Sequence, residues 1–352
     1  MWEHDNQTPF AADHSWIRDK DGAEVWVVAV KATFLVRPDG TTEIAPEQVP
    51  VTLVPQYRGD PAASSLLYDS DVYHTKPTTE VLLNGHAYAP GDKPATQVDV
   101  TMKVGPIKKT LRVTGDRVWK IGALTNRASE PKLFEKMPLI YERAYGGREE
   151  AGDDPTKQNG EVRNPVGVGF ATSPGNLADK PLPNVEDPRN LIGLLRMQTK
   201  PAGFGPIAPH WQPRVKWGGT YGDKWLQERQ PLLPEDFDER FYLSAPEDQQ
   251  APAYLKGGEP VELVNLTPGG VLIFPLPRLA FGFQTRFSRG EVVRHRAKLH
   301  TVILEPDVPR VLMVWHTHLP CHPRVLKLQR TTITQKQVLA SVGGEPLDEE
   351  AE

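Results

Sequence analysis

The chain has 352 residues, 38% hydrophobic and 24% charged, with a formal net charge of −4 and a single cysteine. That length is ample for a large core, the near-neutral balance gives no electrostatic footprint for nucleic acid, and a lone cysteine excludes an internal disulfide and suits a reducing cytoplasm. Proline, at 35 residues, is about twice its usual share of roughly 5%, which argues for short strands joined by many turns and against a helical bundle.

Residues 25–30 form the longest purely apolar run, far below the roughly 18 residues of a membrane-spanning helix. The opening Met1-Trp2-Glu3-His4-Asp5 has neither the basic nor the apolar region of an export signal. A cytoplasmic protein is expected.

Residues 24–36 read as one strand. Trp26, Val28, Val30, Ala32, Phe34 and Val36 fall on one face, and Val25, Val27, Ala29 and Leu35 on the other, interrupted by Lys31 and Thr33. A strand apolar on both faces lies between two layers. Residues 80–88 predict another strand. Residues 96–104 alternate, with Val98, Val100, Met102 and Val104 inward, and Gly105-Pro106 separates them from Ile107, Leu111 and Val113. That spacing fits a type II′ hairpin, with glycine supplying the positive φ. Residues 1–125 therefore form an N-terminal antiparallel β region.

Residues 126–260 are proline-rich and weakly periodic, yet they carry Phe204, Trp211, Trp217, Tyr221, Trp225, Phe237, Phe241 and Tyr242. So many aromatic rings argue against disorder. The segment reads as ordered loops packed on the core, with one short helix over 235–242 after Pro234. Strands resume over 261–266, 271–274, 299–304, 311–315 and 325–333, so residues 261–335 complete the core. Residues 336–352 read as an acidic flexible tail. The predicted fold class is mainly β, an antiparallel sandwich-like core with long ordered loops and few short helices.

The densest set of candidate metal ligands is His316, His318, Cys321 and His322. On a continuing strand His316 and His318 share a face, and Cys321 could swing back after Pro320 to favour zinc. His295 and His300 lie near them in sequence. No separated second ligand pair accompanies the set, and a polar strand edge explains the same residues. Asp69-Ser70-Asp71 reads as a solvated acidic loop, with a divalent-cation grip as the alternative; Asp153-Asp154 and Glu186-Asp187 read the same way. No G-x-S-x-G elbow and no phosphate-binding loop occurs, so neither catalytic residues nor a cofactor is assigned.

A string of Gly, Pro, Trp and Asn motifs rises above composition. Tyr141-Glu142-Arg143-Ala144-Tyr145-Gly146-Gly147 is followed by Asn164-Pro165-Val166-Gly167-Val168-Gly169-Phe170 and Leu182-Pro183-Asn184-Val185-Glu186. Then come Gly203-Phe204-Gly205-Pro206-Ile207, Trp211-Gln212-Pro213-Arg214, Gly219-Thr220-Tyr221-Gly222-Asp223-Lys224-Trp225, Leu232-Leu233-Pro234-Glu235-Asp236-Phe237 and Asn265-Leu266-Thr267-Pro268-Gly269-Gly270. The string resembles a bacterial family, long labelled only as a domain of unknown function, that is encoded beside type VI secretion effectors and VgrG spikes. The resemblance runs from Asn6-Gln7-Thr8-Pro9-Phe10 to the strand at Trp315. It departs at Gly222-Asp223, where Tyr-Asp is usual, which puts the geometry of that turn in question.

The resemblance implies a non-enzymatic adaptor or chaperone. Such a protein binds a toxic effector in the cytoplasm and helps load it onto the VgrG spike, often with a PAAR tip, without cofactor, nucleic acid or membrane. Trp211, Trp217, Tyr221 and Trp225 are the candidate partner-binding anchors; burial beneath the loops is the competing role for the three tryptophans. The rival readings are a metal-dependent enzyme or metal-stabilised domain built on the His316 set, and a carbohydrate-binding sandwich displaying tryptophan rings.

Overall fold

The computed structural model describes residues 2–122, 126–149, 159–192 and 199–336. The acidic tail from residue 337 and the Asp153-Asp154 pair lie outside the described residues. Among the described residues, three large sheets are built from fifteen strands. The first eight are β1 (Glu3–Asn6), β2 (Ala11–Arg18), β3 (Glu24–Val36), β4 (Thr42–Ile44), β5 (Glu80–Leu83), β6 (Gln97–Val104), β7 (Ile107–Thr114) and β8 (Val185–Glu186). The rest are β9 (Pro260–Val264), β10 (Val271–Pro275), β11 (Ala280–Phe287), β12 (Val292–His295), β13 (Ala297–Glu305), β14 (Arg310–Pro320) and β15 (Leu328–Lys336).

The six-stranded sheet runs β2-β3-β14-β13-β5, with β4 also paired to β3. Its centre is β3, buried along nearly all its length, as a strand apolar on both faces requires. Trp26, Val28, Val30, Ala32, Phe34 and Val36 enter the main core with Val311, Met313 and Trp315 of β14. The five-stranded sheet runs β8-β7-β6-β9-β10 and the four-stranded sheet β1-β15-β11-β12. Both send apolar side chains into that same core, among them Val100, Met102, Leu111, Leu263, Phe283 and Ile333. Most pairings are antiparallel; β1 with β15 and β13 with β5 are parallel. The molecule is mainly β, with antiparallel sheets closed around a shared core.

The β6–β7 hairpin follows the sequence closely. Val104 pairs with Ile107, and Gly105 takes φ +51° at the first loop position. The strand expected over 80–88 is split instead: β5 ends at Leu83, and a separate strand, His86–Tyr88, pairs with Lys136–Pro138. The expected 325–333 strand starts later, because Val325–Lys327 forms a 3-10 turn before β15. Strands β1, β2, β11 and β12 were not anticipated; β1 and β2 half-bury their residues without clear alternation, whereas β11 alternates regularly.

The loop segment over 126–260 contributes core as well as cover. Phe134, Met137, Leu139, Tyr141, Phe204 and Trp211 are buried in the main cluster. Its motif glycines serve close packing. Gly146 has φ +151°, and a side chain there would start 2.1 Å from the Asn164 carbonyl oxygen. The helix expected over 235–242 is only a 3-10 turn, Glu239–Tyr242, capped by Asp238. Pro234-Glu235-Asp236 bends to meet another loop, where the Asp236 carboxylate accepts hydrogen bonds from the Thr220 amide (2.9 Å) and hydroxyl (2.8 Å). Among the described residues, the one α-helix is α1, Asp223–Glu228, at the departure from the family pattern.

Candidate functional site

The outer face of the six-stranded sheet is covered by loops from residues 45–79 and 204–251, and polar side chains join the two. Lys31, fully buried on β3, donates from Nζ to Asp71 Oδ2 and Thr52 Oγ1, both at 2.9 Å. Thr33, two residues on, accepts at Oγ1 from the Val49 amide at 3.0 Å. The two residues that interrupt the apolar strand are therefore the ones that fasten the loop over it.

Beside them, Arg214 stands 2.6 Å from Asp69 and donates to the backbone carbonyls of Phe241 and Ile207. Lys76 pairs with Glu80 at 2.5 Å, and Glu80 also accepts from the Ser244 and Ala245 amides. Buried charges persist only when paired and hydrogen-bonded in this way.

These pairs correct the reading of Asp69-Ser70-Asp71. All three residues are buried, and the carboxylates answer Arg214 and Lys31. The cations arrive from distant parts of the chain, so the local acidic run looked solvated. Glu186 is buried as well and pairs with Arg117 at 2.6 Å.

Arg214 opens an excursion of the chain over residues 213–242. Arg229 fixes it from the other side, donating to Leu233 O, Lys20 O and Asp21 Oδ1 at 2.7–2.8 Å. Trp225 is half-buried, its indole donating to Leu232 O at 2.8 Å, with Tyr221 edge-on at 4.8 Å. Tyr221 itself is 57% exposed and Leu226, on α1, 53%. A groove of about 350 Å³ runs between α1 and the 234–236 turn, lined by Thr220, Trp225, Glu228 and Arg229. Trp217 is half-buried with the Arg240 guanidinium 3.4 Å and the Lys216 ammonium 4.3 Å from its ring centroid. Trp211 is different: it is 1% exposed, in the core and edge-on to Tyr141 at 5.7 Å. Its ring therefore serves as core and offers no surface to a partner.

The histidine-rich strand divides by parity. His316 and His318 share the outer face of β14, as alternation requires. The His316 ring stacks on His300 at 4.8 Å, and His318 sits edge-on to His74 at 4.4 Å. Cys321 falls in the main core on the opposite side, near the Glu24 carbonyl oxygen at 3.5 Å. His322 is exposed beside Glu24 at 3.4 Å. The four residues are thus not gathered into one coordination sphere. β14 ends at Pro320; beyond it the chain turns, burying Cys321 in the core and leaving His322 at the surface.

Burial pushes the His316 pKa down to about 3, assisted by nearby Lys76. It also holds His300 well below the ordinary value. Neither His316 ring nitrogen has a hydrogen-bond partner; the Tyr73 backbone approaches without closing one. Burial raises the Cys321 thiol to about 11, the opposite of what a nucleophile needs. Among the described residues, three ligand atoms lie within 4.8 Å of one another only at His4, Asp13 and His14. Sequence reasoning missed that group, because the two histidines lie on separate strands with no motif spacing.

The fold and surface define a mainly-β protein with an aromatic excursion anchored by the buried Arg214–Asp69 pair and, nearer the surface, by Arg229. Residues 21–316 match the family described as "Uncharacterized protein conserved in bacteria (DUF2169)", and the chain belongs to that family. No curated protein and no solved structure matches it. Among the described residues, no helix is long and apolar enough to cross a membrane.

Proposed function

We propose that this protein is an adaptor that binds a toxic effector through the 213–242 excursion and helps load it onto the VgrG spike of a type VI secretion system, with its PAAR tip. The observation that carries the reading is the surface of that excursion. Tyr221 and Leu226 are exposed beside half-buried Trp225, on a segment whose ends Arg214 ties together through Phe241 O and whose middle Arg229 fastens to Lys20 and Asp21. Aromatic anchors held rigid before contact lose little entropy on binding, which is how a few residues come to dominate an interface. The motif resemblance supplies the class of partner. The function needs no cofactor, and the loading step takes place in the cytoplasm.

The test is co-expression with the effector and VgrG encoded beside the gene, followed by size-exclusion chromatography. A complex containing the effector is expected, and it should be weakened at least tenfold by the Tyr221→Ala/Leu226→Ser double variant while that variant keeps the wild-type melting temperature. Elution of the adaptor by itself, with both candidates folded and present, would overturn the reading.

A further inference from the structure

His4 and His14 belong to different sheets. His4 lies on β1, the edge strand paired with β15 in the four-stranded sheet. His14 lies on β2, the edge of the six-stranded sheet, opposite Val28. Yet their Nδ1 atoms stand 2.7 Å apart. Asp13, next to His14 on the strand, would ordinarily point the other way. Its carboxylate turns back to accept the His14 amide at 2.7 Å, leaving the same Oδ1 3.9 Å from His14 Nδ1.

All three side chains are half-buried. The His14 ring packs on Trp26 at 4.7 Å, and Trp2 stacks on Trp16 at 6.0 Å alongside. Two ring nitrogens at hydrogen-bond distance share one proton, so at least one Nδ1 presents a lone pair. Burial and the neighbouring His4 also lower the His14 pKa, against the opposing pull of Asp13 and the Trp2 backbone.

The geometry points to a zinc site formed by His4, Asp13 and His14. Two imidazoles and one carboxylate are a zinc ligand set, with water in the fourth position. At zinc–ligand bonds of ~2.0–2.1 Å, tetrahedral ligand atoms lie roughly 3.3 Å apart. Binding therefore replaces the shared proton, opens the Nδ1–Nδ1 distance by roughly half an ångström and draws Asp13 inward by a similar amount. The ion clips β1 to β2 and so ties the four-stranded sheet to the edge of the six-stranded one. The site is separate from the His316 cluster and independent of the adaptor surface.

Zinc chloride titrated into tag-free, metal-stripped protein tests the assignment by calorimetry and thermal melting. One equivalent should bind and raise the melting temperature, with EDTA reversing the rise. His4→Gln and Asp13→Asn should each weaken binding about tenfold or more, and His322→Gln, at an exposed histidine outside the site, should leave it unchanged. Nitrogen NMR of the imidazoles in the unmutated protein needs no variant to fold. Zinc-induced shifts at Nδ1 of His4 and His14 are the expected result. Shifts confined to other histidines, undiminished affinity in folded His4→Gln, or no binding at one equivalent would overturn the site.

Discussion

His316 illustrates what burial does to a single side chain. Its imidazole is 2% exposed, stacked on His300, and neutral at physiological pH because its pKa is lowered to about 3. In the unfolded chain the same ring titrates near 6.5. A histidine depressed on folding binds its proton more readily when unfolded, so its stabilising contribution is complete above pH 6.5. It is lost as pH falls toward the folded value. Between pH 7.5 and pH 5.0 this one residue should remove about 2 kcal/mol of stability. Urea unfolding of His316→Phe, which keeps an aromatic ring for the stack, should show a fall across that interval smaller than wild type by about the same 2 kcal/mol. Equal falls in the two proteins would mean that His316 takes up its proton over the same pH range in the folded state as in the unfolded chain. The sequence showed that His316 and His318 share a face; it did not show that the face is covered.

At the scale of elements, β3 was legible because its two-residue repeat is local, and the β6–β7 hairpin because Gly105-Pro106 imposes a turn of fixed length. Strand β11 was overlooked although it alternates, with Phe281, Phe283 and Phe287 inward and Gln284 and Arg286 outward, and β12 is only four residues long and includes Arg294. Those strands are specified by pairing with each other and with β15. The clamp between β3 and the 45–79 loop belongs at this scale too. Removing one member of a buried ion pair leaves the other unpaired and costs ~3–5 kcal/mol, whereas replacing both by apolar side chains is often neutral. Asp71→Ala should accordingly lose about that much in denaturant unfolding, and Lys31→Met/Asp71→Leu should be markedly more stable than Asp71→Ala alone. A double variant no better than the single would show that Thr52 and the loop backbone, not the charge, set the cost. The excursion over 213–242 is held by the same device, since Arg214 is as buried as the Asp69 it meets.

Across the whole molecule, the first and last described strands are neighbours: β1 pairs with β15, and β3 lies between β2 and β14. One core cluster draws side chains from all three large sheets and from the loop segment. The N-terminal, loop-rich and C-terminal regions read from composition are therefore stretches of sequence that build one core together. The expected consequence is a single unfolding transition, coincident by tryptophan fluorescence and far-ultraviolet circular dichroism. Two separated transitions would show that part of the molecule folds independently of the core.

The sequence by itself determined the mainly-β class, the buried central strand, the hairpin, the ordered character of the aromatic loops and membership of an uncharacterised bacterial family. Each rests on a local pattern or an ordered string of motifs, which a linear reading preserves. Only the tertiary structure decided that Trp211 is core while Tyr221 is surface, that Cys321 parts from His316 and His318, and that Asp69 and Asp71 are buried opposite Arg214 and Lys31. It alone brought His4 to His14. A charge or a metal ligand carries no periodicity, and its meaning is set by what the folded chain delivers beside it from far away in sequence.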